Sequence, residues 1–270
     1  MNLPSAWIWT VKQDYTSPGA NATKDCDDLH LPIGEVYVKA TDGTTRFYDA
    51  AGYKQLADVY SAQGIELAWW TVPHGLDVPG EVTALLPALA ACPRLIIDFE
   101  RAAEFWSGPL SNIKAYLAKL QLMQPRPWLA LCYDPRQVDL RLENDVWRPY
   151  IDAYMPMCYW VDFAGQGKWG DPAGCIEAAW AGRLNEQPMI FALQGAEPDV
   201  SRFAAAVDRA LELGGVSVWR RGETTVDNWR VLGARVARKL EKESFERGCR
   251  LWDGSVAIDK GLKVLRGEKA

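Results

Sequence analysis

Arg94-Leu95-Ile96-Ile97-Asp98-Phe99-Glu100 is a short apolar run that ends in two carboxylates one residue apart. Side chains on a strand alternate between faces, so Ile96, Asp98 and Glu100 share one face, and Leu95, Ile97 and Phe99 share the other. An unpaired carboxylate is costly to bury, so a strand that turns two of them the same way is expected to open into a polar cavity at its C-terminal end. Barrels of alternating strands and helices carry their chemistry at that end. The competing reading is a strand end whose acids pair with Arg94 or Arg101 or start a loop, and this stretch alone leaves both open.

Outward from it, strand and helix alternate. Trp7 to Lys12 reads as a first strand, with a long polar loop from Gln13 to Pro32. Gly34 to Ala40 alternates cleanly as a second strand, and Ala50 to Ala62 has helical periodicity. Gly64 closes that helix, Ile65 to Trp70 is a third strand, and the loop Thr71 to Pro79 leads into a helix ending near Ala91. After the opening stretch come a helix from Pro109 to Gln124, stopped by Pro125, and a fifth strand from Pro127 to Tyr133. An Arg-rich helix to Tyr150 precedes strand six, Ile151 to Met155, with an aromatic continuation to Trp160. Asp171 to Leu184 and Asp199 to Leu213 read as helices around strand seven, Pro188 to Leu193. Strand eight is Gly215 to Trp219, and the last helix is Thr225 to Arg247. Eight such units predict an α/β chain with a parallel sheet closed as a (β/α)8 TIM barrel, a single domain over 1–247, with 248–270 as a short C-terminal tail. A doubly wound open sheet is the alternative.

Composition narrows the function. The 270 residues are 49% hydrophobic, with a net charge of -5 and a pI near 5.2, so a basic footprint for nucleic acid is missing. No apolar stretch reaches membrane-span length, and the N-terminus lacks a basic region followed by an apolar core, so the expectation is a chain that is cytoplasmic as synthesised. Six scattered cysteines without a C-x-x-C pair predict free, buried thiols. The two histidines, His30 and His74, fall in predicted loops and read as solvated, which supports neither a metal centre nor a Ser-His-Asp triad. Gly165 to Gly170 spells G-x-G-x-x-G but opens no first βαβ unit, so it reads as a loop, and no cofactor is expected. Oligomeric state is left open.

A closed barrel gathers at its mouth Lys39, Asp42, Trp70, Asp98, Glu100, Tyr133, Asp134, Tyr154, Tyr159, Trp160, Gln194, Trp219 and Arg220. Acids walled by aromatics suit glycoside hydrolysis, in which one acid protonates the leaving oxygen and a second group stabilises the cationic centre. Asp98 and Glu100 are close enough to couple, so the pair should hold a proton to higher pH than an isolated acid; Glu100, further out, is assigned as general acid, and Asp98 is expected to be ionised. Lys39 either contacts substrate or neutralises these acids. Trp70, Trp160 and Trp219 are either sugar platforms or packing under loops, and Tyr159 is preferred to Tyr133 as a hydrogen-bond donor to an acetamido group.

Val36-Tyr37-Val38-Lys39-Ala40-Thr41-Asp42-Gly43 resembles the Lys-Ala-Thr-Glu-Gly strand of family 25 glycoside hydrolases, the lysozymes that cut peptidoglycan, and Ile97-Asp98-Phe99-Glu100 resembles that family's Asp-x-Glu on strand four. The resemblance implies a retaining enzyme in which Glu100 is the general acid and Asp98 positions the N-acetyl group, whose oxygen acts as internal nucleophile. It also implies an aspartate on strand one, where this chain has Trp7-Ile8-Trp9-Thr10 and the nearest acid is Asp14. Met155 to Trp160 is similar instead to strand six of chitinase-like barrels, although Ile96 stands where their Asp-x-x-Asp-x-Asp-x-Glu has its middle aspartate. The expectation is a glycosidase acting on an N-acetylated polysaccharide, peptidoglycan first, of the kind a phage lysin attacks. Its rival is a barrel that keeps the sugar groove without turnover, as a glycan-binding or phage structural module.

Overall fold

The computed structural model describes residues 5–8, 34–102, 104–137, 144–183, 186–220 and 223–243. Among the described residues the strands are β1 (Ser5–Ile8), β2 (Glu35–Asp42), β3 (Thr45–Arg46), β4 (Glu66–Val72), β5 (Arg94–Phe99), β6 (Trp128–Tyr133), β7 (Ala153–Cys158), β8 (Ile190–Gln194) and β9 (Gly215–Trp219). All but β3 are parallel, in the order β1-β9-β8-β7-β6-β5-β4-β2, and β1 pairs again with β2, so the sheet closes. The predicted eight-stranded (β/α)8 barrel is what the chain forms. Strand β3 is a short antiparallel return on the end of β2 across the turn at Gly43, whose φ of 52° suits glycine.

Helices α1 (Ala50–Ala62), α2 (Val78–Ala91), α3 (Leu110–Gln121), α4 (Asn144–Trp147), α5 (Pro172–Ala181), α6 (Val200–Leu213) and α7, over 226–243, surround the barrel. Asp49, Asp77, Asp171 and Asp199 each accept a first-turn backbone N–H, which satisfies donors that helix starts otherwise leave bare. Several boundaries differ from expectation: β1 begins at Ser5 rather than Trp7, β4 runs on to Val72, and α5 ends at Ala181 rather than Leu184. Helix α3 stops at Gln121 rather than Gln124, because the residue before Pro125 is disfavoured in helical conformation. Strand β7 runs on to Cys158, so the aromatic continuation predicted after strand six is partly strand. The first strand beyond Ile8, the loop 9–33 with His30, and the tail 248–270 lie outside the described residues. Among those described, no helix is long and apolar enough to cross a membrane.

The core has two layers. Outward side chains such as Leu95, Ile97 and Phe99 pack against the helices, while Trp7, Tyr37, Trp70, Ile96, Cys132 and Met155 fill the barrel. The filling is lopsided: Trp7 meets Tyr37 at 5.2 Å, Trp70 at 5.7 Å and Trp219 at 5.4 Å, edge to face, opposite the small Ala130, Ala153 and Ala192. Both buried indoles are satisfied, Trp7 Nε1 donating to Ser217 Oγ at 3.1 Å and Trp70 Nε1 to the Ile8 carbonyl at 3.1 Å. The result is a buried aromatic floor beneath the C-terminal mouth.

Candidate active site

Strand β5 turns Ile96 and Asp98 inward, as alternation requires, and Glu100 follows at the rim. Asp98 is 6% exposed, and its Oδ1 has no hydrogen-bond partner among the described residues. Burial first, and then the charge of Glu100, push its carboxyl well above the ordinary range; the Lys39 ammonium pulls the other way. Glu100 is half-buried, and it too is pushed up, by burial and by Asp134, against the opposing pull of Arg136. Both carboxyls are thus pushed toward the neutral form, each first by its burial. Asp98, expected ionised, is instead pushed toward its neutral form, because burial disfavours its charge and the Lys39 ammonium only opposes that.

Lys39 projects into the barrel in the layer of Trp70 and Ile96, its register partners across β4 and β5. It is 2% exposed, and its Nζ donates to Asp42 Oδ2 at 2.9 Å and lies 4.8 Å from the Trp70 ring centre and 5.3 Å from that of Phe47. Asp42 Oδ1 stands 2.8 Å from His74 Nε2. The histidine read as solvated is therefore half-buried and joined to the site. Its proximity to Asp42 arises where the loop after β4 crosses the end of β2, a juxtaposition without a local sequence signal.

On the opposite wall, Tyr159 stacks on Trp219 at 6.1 Å with planes 30° apart. Burial and the nearby Cys132, Asp98 and Glu100 hold its phenol well above the ordinary range, so it remains an O–H donor. Cys132, level with Asp98 on β6, is likewise kept as a thiol by burial and by the two acids. Asp134 and Arg136, just past β6, form a forked ion pair at 2.5 and 2.9 Å. Arg136 also reaches Gln166 Oε1 at 2.8 Å and lies over the Phe163 ring, which ties two mouth loops together beside Glu100. Sequence reading missed Arg136, since only loop closure brings it there.

Four predicted site residues stand elsewhere or are otherwise engaged. Tyr133 and Tyr154 lie on the outward parity of β6 and β7, opposite to Cys132 and Met155, and their rings pack edge to face in the helix-facing layer. Trp160 is fully buried in that same layer and donates to Glu197 Oε2 at 2.6 Å. Gln194 Oε1 accepts from the backbone of Val161 and Asp162 at 2.9 and 3.2 Å, pinning the loop after β7. The structure brings together Lys39, Asp42, Trp70, Asp98, Glu100, Tyr159 and Trp219. Trp70 is fully buried, a floor rather than an open platform. Arg220 pairs with Glu223, as a salt-bridge partner should.

Among the described residues no cluster of three or more His, Cys, Asp or Glu could hold a metal. A cavity of about 580 Å³ opens at the other end of the barrel, among Trp128, Met189, Ile190, Leu213 and Val216, away from the paired acids.

The fold and its mouth place the chain in the class of (β/α)8 barrels. No family model and no curated protein matches the sequence. Among solved structures it is similar to a class V chitinase from Pseudomonas fluorescens Pf-5, with a TM-score of 0.60 and 12% identity, covering 87% of this chain and 100% of that one. The catalytic domain of a family GH18 chitinase from a fern aligns with a TM-score of 0.55 and 9% identity over 86% of this chain and 100% of its own. A 3-hexulose-6-phosphate synthase also aligns, at a TM-score of 0.51 and 14% identity, over 88% of this chain and 99% of that one. Identities this low establish the architecture, which hosts unrelated chemistries.

Proposed function

We propose that this barrel is a glycoside hydrolase acting on an N-acetylated glycan, with Glu100 as general acid. The observation that carries the reading is the pair itself: Asp98 and Glu100 sit together above an aromatic floor, and Asp98 Oδ1 is buried without a partner, whereas acids with a structural role are paired. Glu100 at the rim protonates the glycosidic oxygen. Ionised Asp98 accepts the acetamido N–H and Tyr159 donates its O–H to the acetamido oxygen; that oxygen displaces the protonated leaving group with inversion, and water deprotonated by Glu100 then opens the cyclic intermediate with a second inversion, so configuration is retained. Trp219, stacked beneath Tyr159, offers the sugar an apolar face.

This chemistry needs one proton on the pair, and needs it on Glu100. Burial favours Asp98 as its holder, Arg136 favours ionised Glu100, and Lys39 opposes both by favouring ionised Asp98. Lys39 is accordingly the residue that makes the productive arrangement accessible. The similarity of several neighbours to chitinases by name, and the Met157-x-Tyr159 end of β7, support a chitin-like substrate; the Lys39 to Gly43 stretch supports peptidoglycan. The buried, apolar Ile96 below Asp98 favours a second reading, a glycan-binding barrel without turnover.

Release of reducing ends from purified peptidoglycan and from chitin oligosaccharides, by the wild type and by Glu100→Gln, tests this. Loss of a general acid should cost about 100-fold or more. Turnover of one substrate, lost in the variant, assigns both substrate and acid. Binding of either glycan without turnover by the wild type sinks the catalytic reading in favour of the binding one.

A further inference from the structure

His74 is the part of the mouth that this chemistry leaves unused, yet its loop is gripped from two sides. Its backbone N–H donates to Glu81 Oε2 at 3.2 Å, and its carbonyl accepts from the N–H groups of Ser107 and Gly108, each at 3.0 Å. Gly75, at φ +70°, lies so close against the Trp106 ring that a Cβ there would collide with it. Such a loop aims its imidazole. Nε2 meets one oxygen of Asp42 at 2.8 Å while Lys39 meets the other at 2.9 Å, so the chain of contacts runs from a side chain 34% exposed to one 3% exposed. Lys39, in turn, is the cation that acts on Asp98.

We infer that His74 is a positioning residue: through Asp42 it decides how much of the Lys39 charge acts on Asp98. The inference rests on the glycosidase reading for its consequence, though not for its physical test. Protonated His74 shares Asp42 with Lys39, and the ammonium then acts on Asp98 nearly undiminished. Neutral His74 leaves Asp42 to Lys39, and the two charges offset each other. The first state favours ionised Asp98 with the proton on Glu100; the second returns the proton to Asp98. The charged and titratable groups around these two are these: Asp98 feels the charges of Glu100 just past β5 and of Lys39 and Asp42 from β2, and its own charge acts on Cys132 of β6 and Tyr159 after β7, while the His74 imidazole faces Asp42 from β2 and its backbone N–H donates to Glu81 of α2. Turnover should therefore fall as His74 loses its proton.

The chain has two histidines, so His30→Asn assigns both imidazole resonances, and the Asp98 carboxyl carbon can be followed by NMR across the same pH range. In the wild type that carbon is expected to move in step with the His74 imidazole, with a change in kcat of roughly threefold over the same pH range. His74→Gln, which keeps a donor toward Asp42 without titrating, should remove both steps. Lys39→Met interrupts the chain elsewhere and should remove the carboxyl step even if the histidine variant fails to fold. An Asp98 carbon with no inflection at the His74 midpoint, or the same inflection in the variants, overturns the inference. If no glycan is turned over, the proposed reaction fails on its own, while the NMR titration still decides whether His74 and Asp98 are coupled.

Discussion

Asp98 and Lys39 show at single-residue scale how burial decides chemistry. A carboxyl with 6% exposure beside a second carboxylate is held in its neutral form unless a cation intervenes, and the intervening cation is an ammonium that is itself buried. Replacing Lys39 by Met should therefore leave the proton on Asp98 and lower kcat by roughly 10-fold or more, with a smaller effect on KM. Steady-state kinetics on whichever glycan is cleaved checks this, and a variant as active as the wild type would remove Lys39 from its assigned role. Strand parity makes the same point for the aromatics: Tyr159 past the end of β7 reaches the mouth, whereas Tyr154 on that strand points to the helices. Alternation was legible in the sequence; which parity faced inward on β6 and β7 was not, because both parities there are apolar.

At the scale of elements, the loop between β4 and α2 owes its shape to one buried side chain. Glu81, 2% exposed, accepts from the backbone N–H groups of His74, Gly75, Leu76 and Asp77 at 3.2 to 3.4 Å. Substituting Ala strips these donors of their acceptor and should destabilise the protein by about 1–3 kcal/mol. Denaturant unfolding measures that cost. Unchanged stability in Glu81→Ala would show that water replaces the carboxylate without loss. The Asp caps of α1, α2, α5 and α6 were readable as turn residues, but the grip of Glu81 on a loop that precedes its own helix was not, since it depends on the chain reversing direction.

For the molecule as a whole, the barrel is filled unevenly by indoles, and stability and pH response both follow from that floor. Trp70 is fully buried against Trp7 and Trp219, so Trp70→Ala should cost roughly 3–5 kcal/mol. Thermal or denaturant unfolding of the variant checks this, and a loss below about 1 kcal/mol would mean that the barrel collapses around the gap. The pH dependence has an unusual sign. Asp98 has a raised carboxyl pKa in the folded state, so its proton is retained there after the unfolded chain, near the ordinary value of 3.8, has released its own. Folded protein is thus penalised progressively as pH rises above about that value, and the penalty levels off above the folded pKa. Asp98→Asn should be more stable than the wild type at neutral pH, with the advantage vanishing toward pH 3 to 4. Melting temperatures of the two proteins across that range test it; an advantage that grows as pH falls would reverse the assignment.

The sequence by itself pointed to eight strand-helix units with a closed barrel as the leading arrangement, to Ile96, Asp98 and Glu100 sharing one face, and to acids and aromatics at the strand ends. Those features follow from local periodicity, from glycine and proline punctuation, and from the order of elements along the chain. Tertiary structure alone decided that Lys39 and His74 share Asp42, that Arg136 stands beside Glu100, that Tyr133, Tyr154 and Trp160 serve the outer layer, and that burial pushes Asp98 toward its neutral form. Each of these depends on distance and desolvation between residues far apart in sequence, such as Asp42 and His74 or Trp160 and Glu197, and neither quantity exists until the barrel closes.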